Sequence, residues 1–162
     1  MEEIHNTLLK ELELVVEPLG IQVVELSVYH GKSGLNIRAV IFRGGGVTLG
    51  DCERVTRMYN DRLTILEPID ENNYTLQISS PGVDRIFKDR KEYNIFKSRH
   101  VKIMVDNRVE GSEGGVIRGV LEGLEDDRVK LLPDFDPDKP IKIPLESIRK
   151  TRLDDERRSY GK

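Results

Sequence analysis

The sequence predicts an α+β protein in two parts: an N-terminal α/β domain over residues 1–84, with helices on a three-stranded sheet, then a small β-barrel over 85–155. Three observations carry this. Apolar residues recur twice at helical spacing in the first half, and β-type segments lie between and after those stretches. Beyond Pro81-Gly82 the style changes, and five short β segments crowd into residues 101–153 between Gly and Asp clusters, the pattern of a small closed barrel. A chain of 162 residues accommodates one large or two small domains.

Ile4, Leu8, Leu12, Val15 and Leu19 mark an amphipathic helix ended by Pro18 and Gly20. IQVVELSVY (21–29) is β-branched and partly alternating, His30 to Gly34 has hairpin turn chemistry, and Leu35 to Phe42 returns as a second strand. Arg43-Gly44-Gly45-Gly46 breaks that strand. Thr48 is a good N-cap, and Asp51 three residues on makes a weakened capping box. Cys52, Val55, Tyr59, Leu63 and Leu66 then keep helical spacing as far as Pro68. Tyr74 to Ser80 is a strand with Tyr74, Leu76 and Ile78 on one face. A junction over 85–98 holds a short helix, Asp89 to Phe96. The barrel strands are VKIMV (101–105), GVIRGVLEGL (115–124), RVKLLP (128–133), IKIPL (141–145) and SIRKTRL (147–153), and 156–162 form a charged tail.

More than a third of the residues are charged, 26 Lys and Arg against 29 Asp and Glu, for a net charge of −3 and a pI near 5.7. Taken whole, that is not a basic nucleic-acid-binding protein. Taken by halves, residues 1–84 hold 7 basic and 13 acidic side chains, and 85–162 hold 19 and 16. Residues 85–102 concentrate 7 cations against Asp89 and Glu92, with Tyr93 and Phe96 interleaved. Such a stretch either docks phosphates or is a solvated linker helix with two anchoring aromatics, and composition favours neither. The single cysteine excludes an intramolecular disulfide and a multi-thiolate zinc site. An acidic N-terminus and the lack of any apolar run near 20 residues, with the single cysteine, imply a soluble protein of a reducing compartment, with no membrane partner.

Catalytic constellations are absent from the pattern. His5, His30 and His100 are far apart and sit in no metal-ligand spacing, so each is read as a surface histidine. Cys52 lies in the first turn of a helix but on its apolar stripe, so it is read as core rather than nucleophile. Arg43-Gly-Gly-Gly-Val-Thr meets neither the P-loop nor the dinucleotide spacing and is read as a flexible connection. DFDPD (134–138) alternates acids as calcium loops do, but lacks the glycine and distal glutamate of an EF-hand and is read as a turn. No cofactor and no metal are expected. Ser79-Ser80-Pro81-Gly82 ends a strand in a Pro-Gly corner, which on physical grounds is a structural turn first and a binding loop second.

YTLQISSPGVDRIF (Tyr74 to Phe87) resembles the signature of the bacterial ribosome maturation factor RimP family, an aromatic-initiated strand running into Ser-Ser-Pro-Gly-hydrophobic-Asp-Arg. GGVTLGDCERVTR (Gly45 to Arg57) resembles that family's entry to its second helix, and the likeness continues through FKSRHVKIMV and IPLESIRKTRL. The family commonly has glycine where Ser98 stands and an acid where Gly50 stands. The resemblance implies an SH3-like (Sm-like) form for the C-terminal barrel. It also implies a non-enzymatic cytoplasmic assembly factor that binds the free small (30S) ribosomal subunit during maturation, through ribosomal RNA and a ribosomal protein near the decoding region. The motif positions carried over are Ser79, Ser80, Pro81, Gly82, Asp84 and Arg85. The basic junction adds Arg85 and Arg99 as forks for phosphate or carboxylate, Lys88, Lys91 and Lys102 as point charges, and Arg90. A monomer is expected. The rival from another class is a peptide-binding adaptor acting through the barrel without RNA, but the barrel offers only Phe135 and no Trp for an aromatic groove. A hydrolase acting through Cys52 is a third class, which predicts loss of function in Cys52→Ala.

Overall fold

The computed structural model describes residues 2–32, 34–66, 73–106, 109 and 111–154. The charged tail assigned to 156–162 lies outside the described residues. The chain divides into two compact units, Met1–Pro81 and Gly82–Lys162.

The first unit contains α1 (Glu2–Val16), a 3₁₀ turn (Glu17–Leu19), β1 (Gln22–Gly31), β2 (Gly34–Phe42), α2 (Leu49–Leu63) and β3 (Tyr74–Ser79). The sheet order is β1-β2-β3, the three strands expected. β1 and β2 form an antiparallel hairpin that closes on Gly31 opposite Gly34, a tighter turn than the five residues read from sequence. β2 and β3 run parallel, from Leu35 opposite Tyr74 to Val40 opposite Ser79. Parallel neighbours need a long connection, and α2 lies in it. Leu8, Leu12, Val15 and Val16 of α1 and Cys52, Val55, Tyr59 and Leu63 of α2 form a core with Ile37, Ala39 and Ile41 of β2. The buried Tyr59 hydroxyl donates to the Leu8 carbonyl at 2.8 Å, tying the two helices together. α2 stops at Leu63, short of the expected Pro68, which lies outside the described residues.

The capping box is fully formed. Thr48 Oγ1 accepts from the Asp51 N–H at 3.0 Å, and Asp51 Oδ2 accepts from the Thr48 N–H at 2.9 Å. Asp51 also pairs with Arg43. An aspartate therefore completes the motif that glutamate usually makes.

The second unit contains α3 (Glu92–Ile95), β4 (His100–Val105), β5 (Val116–Glu125), β6 (Arg128–Pro133), β7 (Ile141–Pro144), a 3₁₀ turn (Leu145–Ser147) and β8 (Ile148–Leu153). All five expected strands are present, in one antiparallel sheet of order β7-β6-β5-β4-β8. The closed barrel is not seen: β7 and β8 are the edges, and among the described residues no ladder joins them. Alternation buries Val101, Ile103, Val105, Ile117, Leu121, Val129, Leu131, Ile143 and Leu153 on one face. β5 and β6 approach closely at Gly119, where an added Cβ would lie 2.3 Å from the Leu132 carbonyl oxygen.

The junction helix is one turn rather than the expected Asp89 to Phe96. The Glu92 carboxylate takes the N–H groups of Lys88 and Asp89 at 2.9 and 3.0 Å, which holds the approach as a bonded loop. Ser98, in the left-handed region at φ 74°, ends it on the other side. Residues 85–87 line the β8 edge, with the Leu153 N–H donating to the Arg85 carbonyl and the Phe87 N–H to the Thr151 carbonyl, each at 2.8 Å.

Candidate functional site

The SSPG-x-DR segment straddles the division between the two units. Ser79 ends β3 and is half-buried, Ser80 is exposed, and Pro81 closes the first unit. Gly82 opens the second with a tight turn, in which the Arg85 N–H donates to the Gly82 carbonyl at 3.1 Å. Asp84 is exposed at that turn. The turn lies just beyond the Pro81-Gly82 corner that turn chemistry predicted: Val83 and Asp84 are at its centre, and Gly82 is not in the left-handed region.

Arg85 is where the structure differs most from the expectation of a binding fork. Its side chain is only 8% exposed and meets a fully buried Glu92 in a bidentate pair, Nε to Oε1 at 2.7 Å and Nη2 to Oε2 at 3.1 Å. Glu92 thus accepts two guanidinium and two backbone N–H bonds, and the pair is satisfied inside the fold. Arg85 is a carboxylate fork, as allowed, but its carboxylate is the chain's own.

The remaining junction cations spread out. Lys88, Arg90 and Lys91 are exposed, and Arg90 pairs with an exposed Asp127. Arg99 is half-buried, and its carbonyl accepts from the Leu121 N–H at 2.8 Å. Lys102 stands in β4, opposite Arg118 of β5 and Arg152 of β8. The interleaved aromatics are anchors rather than stacking platforms. Tyr93 and Phe96 are buried, and Phe87 packs on both with ring centroids 5.0 and 5.2 Å away. The Tyr93 hydroxyl bonds Thr151 Oγ1 at 2.7 Å, and burial pushes its phenol above the usual range.

One constellation was not anticipated. His100, read as a surface histidine, lies between two carboxylates: Nε2 is 2.8 Å from Asp134 Oδ2, and Nδ1 is 3.3 Å from Asp154 Oδ2. Asp154 in turn faces Arg118 and Arg152 at 3.7 and 3.8 Å. The alternation of each strand places these residues on a face, but the strand partners that bring them together have no local signal.

The other sequence candidates resolve simply. Cys52 is buried in the core of the first unit, where burial pushes its thiol up and the Asp51 charge adds to the shift. The DFDPD segment forms turns, with the Asp136 N–H donating to the Pro133 carbonyl and the Lys139 N–H to the Asp136 carbonyl, each at 3.1 Å. Among the described residues no cluster of His, Cys, Asp and Glu is placed to hold a metal ion. No helix among them is long and apolar enough to cross a membrane.

The family model of the RimP N-terminal domain matches residues 11–84. The match begins within α1, takes in the capping-box helix and all three strands of the first sheet, and ends inside the Ser-Ser-Pro-Gly-hydrophobic-Asp-Arg motif. Residues 11–84, just under half of the chain, are thus similar to the RimP N-terminal domain, which is consistent with the RimP ribosome maturation factor family that the motif resembles.

Proposed function

We propose that the chain is a non-enzymatic assembly factor that binds the free small ribosomal subunit, as a cytoplasmic monomer, through ribosomal RNA and a ribosomal protein. The RimP N-terminal domain ending in the SSPG-x-DR motif is the observation that carries this reading. Two others support it. The charge of the chain is segregated, acidic in the first half and basic in residues 85–102, which suits a partner made of basic protein and RNA. In the second unit the first strand lies between the second and the last, and a 3₁₀ turn joins the two edge strands, an order compatible with an SH3-like barrel.

Lys88, Arg90 and Lys91 are assigned the phosphate contacts because all three are exposed; Lys97 is exposed as well, and Arg90 also pairs with Asp127. Ser79, Ser80, Pro81, Gly82 and Asp84 are the motif positions that precede the junction, while Arg85 braces the junction through Glu92. Arg99 and Lys102 complete the basic set at the start of the second sheet.

Sedimentation with purified small subunits tests the proposal. The protein is expected to comigrate with free small subunits at low salt, and a Lys88→Ala/Arg90→Ala/Lys91→Ala variant to comigrate less. A chain that stays at the top of the gradient at low salt refutes it. Arg85→Ala is a poor probe of binding here, because it strands the buried Glu92 carboxylate.

A further inference from the structure

The outer face of the second unit's sheet carries three cations abreast. Lys102 is in register with Arg118 on one side and with Arg152 on the other. The inward partners of this alternation, Val101, Ile103, Ile117, Thr151 and Leu153, are buried, so the three cations share the opposite face. Residues directly opposite in antiparallel strands have Cβ atoms about 4.5–5.5 Å apart, and like charges there oppose strand pairing. Lys150, two residues before Arg152 and exposed, extends the basic strip along β8.

One carboxylate steadies the row. Asp154 Oδ2 lies 3.7 Å from Arg118 Nε, and Asp154 Oδ1 lies 3.8 Å from Arg152 Nη1. Those separations are ion-pair distances, longer than hydrogen bonds. Asp154 therefore orients both guanidiniums while leaving most of their donors unspent; Arg152 Nη1 also donates to the Leu153 carbonyl at 3.2 Å. The Arg118 side chain is 42% exposed and that of Arg152 28%, so both forks are reachable from solvent.

We propose that the Arg118–Lys102–Arg152 row is a docking surface for the phosphodiester backbone of RNA. The row spans about 10 Å, two strand spacings of roughly 4.8 Å. Two planar forks flanking a point charge suit neighbouring phosphates of one strand, each guanidinium taking a phosphate bidentately. A polyanion laid across the strands also removes the like-charge opposition that the register builds in. The choice of RNA as occupant rests on the small-subunit reading; the row itself does not. Arg118 and Arg152 lie outside the junction, and so add a second basic face to the unit.

The test uses the full chain and a labelled single-stranded oligouridine, with affinity followed over a salt series. Lys102→Gln/Arg118→Gln/Arg152→Gln is expected to lose tenfold or more in affinity at low salt. Its log–log salt slope should flatten by about 2, at roughly 0.7 per phosphate contact on a single strand. Arg118→Lys/Arg152→Lys keeps the charge and should keep the slope while weakening affinity. If the triple variant does not fold, Lys102→Gln alone must flatten the slope by about 0.7. Unchanged affinity and slope in a folded row variant overturn the proposal, and so does oligoglutamate competing as well as unlabelled oligouridine. Row-dependent RNA binding without comigration with small subunits leaves the docking surface standing and sinks the small-subunit reading; comigration with a row-independent RNA affinity does the reverse.

Discussion

At the scale of single residues, the Arg85–Glu92 pair decides how the junction is read. Glu92 is completely buried and satisfied by four donors, so its charge is tolerated only while Arg85 stays in place. Removing one partner of such a pair costs about 3–5 kcal/mol, whereas replacing both with apolar groups is often nearly neutral. Glu92→Ala is thus expected to destabilise the second unit by about that much, and Arg85→Met/Glu92→Leu to recover a large part of the loss. Urea unfolding followed by circular dichroism measures both. A double variant as unstable as the sum of its singles would show that the pair is not the source. From sequence, Arg85 is one cation among seven in 85–102, and nothing local marks it as the one turned inward. Its partner is seven residues away, across a bonded loop rather than at helical pairing distance, so only the folded chain reveals the choice.

Among elements, the entry to α2 was legible because its signals are local. Thr48 and Asp51 cap the helix just as their spacing indicates, although the aspartate is shorter than the usual glutamate. The hydrogen bonds from the Thr48 N–H and hydroxyl, with the Arg43 charge, hold the Asp51 carboxyl below the usual carboxylate range. A carboxyl lowered by folding stabilises fully above its unfolded pKa, and that contribution is lost as pH falls through the folded value. Asp51→Asn should therefore be less stable than the parent at pH 7. The gap should narrow once pH drops below about 4, the ordinary carboxylate range. Thr48→Ala should cost about 1 kcal/mol. Urea midpoints taken across pH test this, and a gap that stays constant down to strong acid would contradict it. The strands were legible for the same reason, since alternation is written along each of them. Their partners were not: the parallel β2–β3 pairing, the lack of a β7–β8 ladder among the described residues and the row across β5, β4 and β8 depend on register between distant segments.

For the whole molecule, the near-neutral total conceals two unlike units. With the division after Pro81, Met1–Pro81 hold 7 basic and 12 acidic side chains, net −5, and Gly82–Lys162 hold 19 and 17, net +2. The proposed function assigns these units different partners, the acidic one a basic ribosomal protein and the basic one RNA. Charge on one unit should then matter for one partner only. Glu13 and Glu17 are exposed in the first unit, and Lys88, Arg90 and Lys91 in the second. A Glu13→Gln/Glu17→Gln variant is expected to bind small-subunit RNA stripped of protein as well as the parent does, but to bind intact small subunits more weakly. Lys88→Gln/Arg90→Gln/Lys91→Gln should weaken both. Binding must be compared at low ionic strength, because at 0.1 M salt exposed charges are screened beyond about 10 Å and both differences shrink. If the glutamate variant binds intact subunits unchanged at low salt, the acidic unit has no electrostatic part in the complex and the segregation of charge serves some other end.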